Sequence, residues 1–207
     1  MKNRKLRIIF ARLISKMPTN KLRCFLYRVI FDYTIYKSKI GRGTIINVDK
    51  ANLYECKLGR YNTLVGPMNV TIHKNASMGP GNMIQADSVD FSNDTQIFTM
   101  EENSRIGRDH HIDVAESFIL GENSSIAGKS SQFWTHGADI QEGIVIGKNC
   151  YIGSAVRFKP GSSIGDNSLV APGSVITKKF NDKNVIIAGQ PAKIIRKNYN
   201  WKTQKNI

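Results

Sequence analysis

Four histidines, three cysteines and two strongly basic ends are the residues of this 207-residue chain best suited to chemistry. His136 lies in the stretch QFWTHGADIQEG, just ahead of the most regular part of the sequence. A histidine on such a loop can reach the groove beside whatever the regular part builds. Its neutral imidazole can take a proton from a hydroxyl near neutral pH, which is general-base chemistry. The bland alternative is a plain surface histidine. His73, His110 and His111 raise a metal reading, which needs a close pair and a third ligand. The spacings are 37 positions from His73 to His110 and 25 from His111 to His136. Cys24, Cys56 and Cys150 are far apart, with no CxxC pair to complete a ligand set. No metal site is expected, and His110 and His111 read as corner residues. The cysteine usage fits a reducing compartment and no disulfide framework.

What positions His136 is a beat of six. From Ile146 to Lys178 the sequence reads IGKNCY, IGSAVR, FKPGSS, IGDNSL, VAPGSV, ITKK, with anchors at Ile146, Ile152, Phe158, Ile164, Val170 and Ile176. An amphipathic helix repeats every 3.6 residues and a lone strand every two, so six fits neither. It fits short strands with a turn after each. Three hexads close a triangular coil of about 18 residues, and stacked coils bury the anchors in a continuous core. Gly and Asn at GKN and GDN suit corners that need φ > 0. The same beat starts at Ile40, Ile46, Leu58, Leu64 and Val70, with Asn52 an imperfect beat, and slips to Met78 and Ile84. It is lost over residues 90–105, an irregular excursion, and returns at Ile106, Ile112 and Phe118, then Leu120, Ile126 and Gln132. Slips in a solenoid are loops at a corner, where binding residues usually sit.

Ahead of the repeats, Leu6, Ile9, Phe10, Leu13, Ile14 and Met17 form a helical stripe, and Leu22, Phe25, Leu26, Val29 and Ile30 a second after Pro18 and Thr19. Two short helices are expected, their other faces carrying Lys5, Arg7, Arg12, Lys16, Lys21, Arg23 and Arg28. The pair either lies on an anionic membrane surface, or its apolar stripes cap the first coil or pack on a neighbouring subunit while the charges are solvated. At the other end Pro191 is expected to start a short capping helix. Three segments follow: residues 1–36 helical, 37–180 solenoid, and 181–207 an extension with that helix.

The net charge of +14 is uneven: 12 basic and 1 acidic side chains in residues 1–42, 10 and 14 in 43–176, 8 and 1 in 177–207. A mildly acidic repeat body without a nucleic-acid motif argues against nucleic-acid binding. The longest stretch without a charged residue, Tyr61 to His73, is too short to span a bilayer, and the basic N-terminus lacks the apolar run of a signal peptide.

The beat, Thr135-His136 followed by IVIGKNCYIGS, and the tail AGQPAKIIR together resemble the bacterial hexapeptide-repeat acyltransferases, and look similar to polysaccharide and sugar O-acetyltransferases. The resemblance covers roughly residues 40–198. It implies an all-β solenoid, a left-handed parallel β-helix, an acetyl-CoA-dependent O-acetyltransferase, and a homotrimer with sites between subunits. It implies a sugar hydroxyl as acceptor, in surface polysaccharide made at the inner membrane face, and hence a cytoplasmic enzyme, peripheral if residues 1–30 bind membrane. A small soluble acceptor and a non-catalytic scaffold are the competing readings. By the same resemblance His136 is the base, and a backbone N–H of the Gly153 to Ala155 turn meets the oxyanion. Asp139 or Glu142 orients the imidazole by analogy with other base-orienter pairs. Coenzyme A runs along Ser154, Ala155, Pro172, Thr177 and Lys178, and Lys193 and Arg196 meet its phosphates. Gly137 stands where many relatives have Pro.

Overall fold

In the computed structural model, residues 4–86 and 95–203 are described. They form two helices followed by a three-sided parallel β-solenoid. Helix α1 is Arg4–Ser15 and helix α2 is Asn20–Phe31, with Thr19 Oγ1 accepting the Leu22 N–H at 3.2 Å as N-cap. Pro18 falls in the break between them, as the stripes predict.

Each coil contributes one strand to each face. The first face stacks Lys39–Ile40, Lys57–Leu58, Ser77–Met78, Arg105–Arg108, Ser125–Lys129, Tyr151–Ile152, Leu169–Val170 and Ile186–Gly189. The second runs through Met83–Gln85, His111–Asp113, Gln132–Phe133, Arg157–Phe158 and Val175–Ile176. The third runs through Ile97–Met100, Phe118–Leu120, Ile144–Ile146, Ser163–Ile164 and Lys179–Phe180. The strands Ile45–Tyr54 and Thr63–Ile72 turn a corner and serve both the second and third faces. Every anchor from Ile146 to Ile176 is buried, as are Ile40, Ile46, Leu58, Leu64, Val70, Met78 and Ile84.

The corners explain the asparagines. Lys37, Glu55, Asn75, Asn103, Asn123, Asn149, Asn167 and Asn184 each lie two residues ahead of a first-face strand, and all have positive φ. Asparagine tolerates this conformation better than most side chains. It also bonds its neighbours: Asn75 Nδ2 donates to Asn103 Oδ1 at 3.2 Å and Asn149 Nδ2 to Asn167 Oδ1 at 3.1 Å.

Three expectations change. The anchor of the fifth coil is Phe133, buried, while Gln132 faces outward. The register shifts between Ile126 and Lys129, which adds a residue at that corner and moves the beat by one. The excursion over 90–105 is much shorter than expected: Ile97–Met100 is a regular third-face strand with Phe98 and Met100 buried, and Arg105–Arg108 a first-face strand. Its portion 90–94 lies outside the described residues. Finally, among the described residues no helix follows Pro191. Ile186–Gly189 pairs in parallel with Leu169–Val170 and turns, through a cis Gln190–Pro191 bond, into the antiparallel strand Ala192–Arg196. Ile186, Ile187, Ile194 and Ile195 are β-branched and favour strand. A helix here would also leave the last first-face strand without a partner on its open edge.

The opposite open edge is covered by the helices. Tyr27 Oη accepts the Ile46 N–H at 3.0 Å, and Tyr33 Oη accepts the Val48 N–H at 2.9 Å. Arg7 and Arg23, expected on the basic faces away from the apolar stripes, turn inward instead. Arg23 donates to Ile40 O from Nε at 3.0 Å and Nη2 at 2.8 Å, and Arg7 Nη2 donates to Val48 O at 2.6 Å. First-coil backbone groups that no strand reaches are satisfied by side chains.

His110 is a corner residue and a titrating one. It is 1 % exposed, its Nδ1 accepts the Ser131 N–H at 3.1 Å, and burial, partly opposed by the Asp109 charge, pushes its pKa down to about 4 from 6.5. The depressed native value means the unfolded chain takes up the proton first. Stability is therefore complete above pH 6.5 and lost as pH falls toward 4, by about 2–3 kcal/mol. Melting temperature against pH is expected to show that decline, and His110→Gln, which does not titrate, to flatten it.

Candidate functional site

Asp113 ends the strand His111–Asp113 on the outward side of the second face, yet its side chain is 1 % exposed. It is covered by residues 134–142, which leave the coil at the corner between the second and third faces. That segment is tied at its neck: His136 and Gln141 form an antiparallel bridge, Gly137 N–H donates to Ile140 O at 2.8 Å, and Glu142 N–H to Thr135 O at 3.0 Å. Thr135 Oγ1 lies 3.2 Å from Asp113 Oδ1 and accepts the Glu116 N–H at 2.9 Å, which fastens the loop to the coil below.

The result is a dyad. His136 Nδ1 sits 2.8 Å from Asp113 Oδ1. A carboxylate oxygen only accepts, so Nδ1 carries the hydrogen and the neutral ring keeps its lone pair on Nε2. The His136 side chain is 37 % exposed, which leaves Nε2 open to an incoming hydroxyl.

The orienting residue is thus Asp113, in place of Asp139 or Glu142. Asp139 is exposed, and Glu142 points to the next coils, where it forms an ion pair with Lys179. Asp113 was missed because it is 23 positions before His136, and only the stacking of coils joins them. Gly137 makes its N–H bond to Ile140 where proline would lose it, and a Cβ there would meet nothing nearer than Pro160 Cγ at 3.7 Å.

Residues 137–178 match the model of the bacterial transferase hexapeptide family, described as six repeats. Across 164 residues the chain is 27 % identical to galactoside O-acetyltransferase from Escherichia coli K12, covering 75 % of this chain and 77 % of that one. Over these residues the chain is similar to the bacterial hexapeptide-repeat acyltransferases. Across 61 residues it is 41 % identical to the putative lipopolysaccharide biosynthesis O-acetyl transferase WbbJ of the same organism, 30 % of each chain. Among solved structures, the polysialic acid O-acetyltransferase OatWY shares the fold, with a TM-score of 0.50 at 19 % identity over 81 % of this chain and 90 % of that one.

The residues expected to hold coenzyme A fall on two corners and on the terminal hairpin. Ser154, Ala155 and Pro172 lie at the corner between the first and second faces. There Gly173 N–H donates to Ser154 O at 2.9 Å and Gln190 Nε2 to Gly173 O at 2.6 Å. Thr177 and Lys178 share the His136 corner, two coils above it, both exposed. Lys193 and Arg196 are exposed on the terminal hairpin, Arg196 lying 4.9 Å from the Tyr199 ring centre. One chain does not bring Ser154 to His136: the strand Arg157–Phe158 and the width of the second face separate them. In the Gly153 to Ala155 turn, Gly153 N–H is bonded to Val170 O and Ala155 N–H to Lys129 O. The Ser154 N–H is the donor of that turn left for a ligand.

His73 lies 3.8 Å from Glu101, and His111 packs edge-on against Trp134 at 4.8 Å. Among the described residues no group of three His, Cys, Asp or Glu could hold a metal.

Proposed function

We propose that this chain is an acetyl-CoA-dependent O-acetyltransferase acting on a sugar hydroxyl, in the biosynthesis of a surface polysaccharide. The observation that carries the reading is the His136–Asp113 pair, with Nδ1 held at 2.8 Å and Nε2 open beside the solenoid wall. The likeness to WbbJ over 61 residues supports the polysaccharide acceptor. The likeness to a galactoside acetyltransferase over three quarters of the chain favours a second reading, a small soluble glycoside.

In the proposed reaction His136 Nε2 takes the proton of the acceptor hydroxyl as its oxygen attacks the thioester carbonyl. Asp113 supports the imidazolium that forms. The Ser154 N–H meets the developing oxyanion. Collapse breaks the carbon–sulfur bond, the acetyl group stays on the sugar oxygen, and the proton on Nε2 passes to the coenzyme A sulfur. Lys178, Lys193 and Arg196 supply positive charge for the phosphates. Because Ser154 and His136 lie on different corners of one chain, the site closes between subunits. We take the assembly to be the family's homotrimer of left-handed β-helices.

The test is release of free coenzyme A thiol from acetyl-CoA, with polysaccharide fragments and simple galactosides as alternative acceptors. Background is low, since Cys24, Cys56 and Cys150 are all buried and burial pushes the Cys56 and Cys150 thiols up to about 11. Thiol release that no glycan stimulates would count against the reading.

Asp113 touches the base and acts as a positioning residue. Asp113→Asn keeps the shape and removes the charge that supports the imidazolium. It is expected to lower kcat about 10–100-fold, with KM for acetyl-CoA unchanged. A rise in KM with kcat intact would mean that Asp113 serves the loop and not the base.

A further inference from the structure

The helices at the start of the chain are apolar on two opposite sides. On α1, Ala11 and Ile14 are buried on the first coil, while Ile9 and Leu13, about half a turn around, are 52 % and 53 % exposed. On α2, Cys24, Tyr27 and Phe31 are buried, while Leu22, Phe25 and Val29 on the far side are 36 %, 53 % and 65 % exposed. A helix advances about 100° per residue, so each outward set forms a single stripe. Capping the solenoid uses only the inner sides, where Tyr27 and Arg23 bond the first coil. Nothing in that role asks for Phe25 and Val29 in water.

The charge around the stripes says what covers them. Arg12, Lys16, Lys21 and Arg28 flank the apolar rows, and the one acid of residues 1–42 is Asp32, at the end of α2. Beside Lys16 a groove of ≈ 620 Å³ is lined by Arg12, Ser15, Lys16, Arg42 and Tyr61, with room and charge for a phosphate headgroup. A second copy docking through the same face would bring Arg12, Lys16, Lys21 and Arg28 against their own like charges, with no acid of that face to offset them. Apolar rows edged by cations fit an anionic lipid surface, where the rows enter the headgroup boundary and the cations meet phosphate.

We propose that the outward side of the α1–α2 pair docks on an anionic phospholipid bilayer, with lipid phosphate in the groove between Arg12, Lys16 and Arg42. The inference deepens the acyltransferase reading by placing the enzyme on a lipid surface, and it stands if that reading fails, since lipid binding is measured without turnover.

The full chain is sedimented with phosphatidylcholine vesicles, with and without phosphatidylglycerol, at low and high salt. Binding is expected to need phosphatidylglycerol and to weaken with salt. Leu13→Glu with Phe25→Glu is expected to weaken it at least tenfold, and so is replacing Arg12, Lys16, Lys21 and Arg28 by Gln, each cation near the surface contributing about fivefold. Melting curves establish that the variants fold; should the glutamate pair not fold, the glutamine set decides. Equal binding to both vesicle types overturns the proposal, as does binding that the glutamine set leaves unchanged. No binding by the parent also overturns it. In that case, light scattering that shows a smaller particle for Leu13→Glu with Phe25→Glu assigns the stripe to a second copy, and an unchanged particle leaves it to a protein partner.

Discussion

His136→Ala is expected to lower thiol release with the true acceptor by about 10²–10⁴-fold while leaving the melting temperature and acetyl-CoA binding near those of the parent. The two halves of that expectation come from different parts of the structure. The ring is tied to the protein through one atom, Nδ1, to a carboxylate that also meets Thr135 Oγ1 and the Ala115 N–H, at 3.2 Å and 3.3 Å. Truncation at His136 therefore leaves the loop fastened by Thr135, Gly137 and Glu142. The side chain is 37 % exposed, so its loss opens no core cavity. The coenzyme A contacts assigned to Ser154, Pro172, Lys178, Lys193 and Arg196 do not run through the His136 ring, so the cosubstrate should still bind. A parent-like rate on the true acceptor would remove His136 as the base. A loss that tracks a fall in melting temperature would make it a structural residue. Asp113→Asn in the same background, which keeps the Oδ1 contacts to Thr135 and Ala115, should lower the rate little further, because the carboxylate charge reaches the reaction through the ring.

How far the sequence carries the fold depends on whether a feature is local. The six-residue beat is local, so the anchors from Ile146 to Ile176 and the corner asparagines can be read directly. The two helices follow from their stripes in the same way. Pairings between coils are not local: Asp113 and His136 meet because the strand His111–Asp113 pairs with Gln132–Phe133, and no spacing rule in one chain announces it. The shift from Gln132 to Phe133 depends on one extra corner residue, invisible to a period count. Pro191 misled because proline suits a helix start and a turn equally well, and the open edge of Ile186–Gly189 decided for strand. The outward sides of α1 and α2 were legible as apolar residues, but which of them faced the solenoid needed Tyr27 and Arg23 to be placed first.

Phe133→Ala is expected to destabilise the protein by about 3–5 kcal/mol, a fall in melting temperature on the order of 10 °C. The ring is fully buried and joins the two faces that meet beneath the His136 loop. It stacks on Phe158 of the coil above at 4.8 Å and meets Phe118 of the coil below edge-on at 5.2 Å, and Phe118 in turn stacks on Phe98 at 5.6 Å. Removing the central ring leaves a cavity that neighbours held in a parallel ladder cannot collapse to fill. Position matters as much as size. In a solenoid each coil touches only the coils next to it, so weakening an internal coil uncouples the lower stack from the upper one. The melt should therefore broaden or split as well as shift, which an equal loss at an end coil would not produce. Phe133→Leu, which keeps most of the volume, should cost far less. Activity is expected to fall in Phe133→Ala below its melting range, since Trp134, Thr135 and His136 follow directly from that strand and their footing moves with it. A melting temperature within about 2 °C of the parent would mean that the fifth coil is not closed around Phe133.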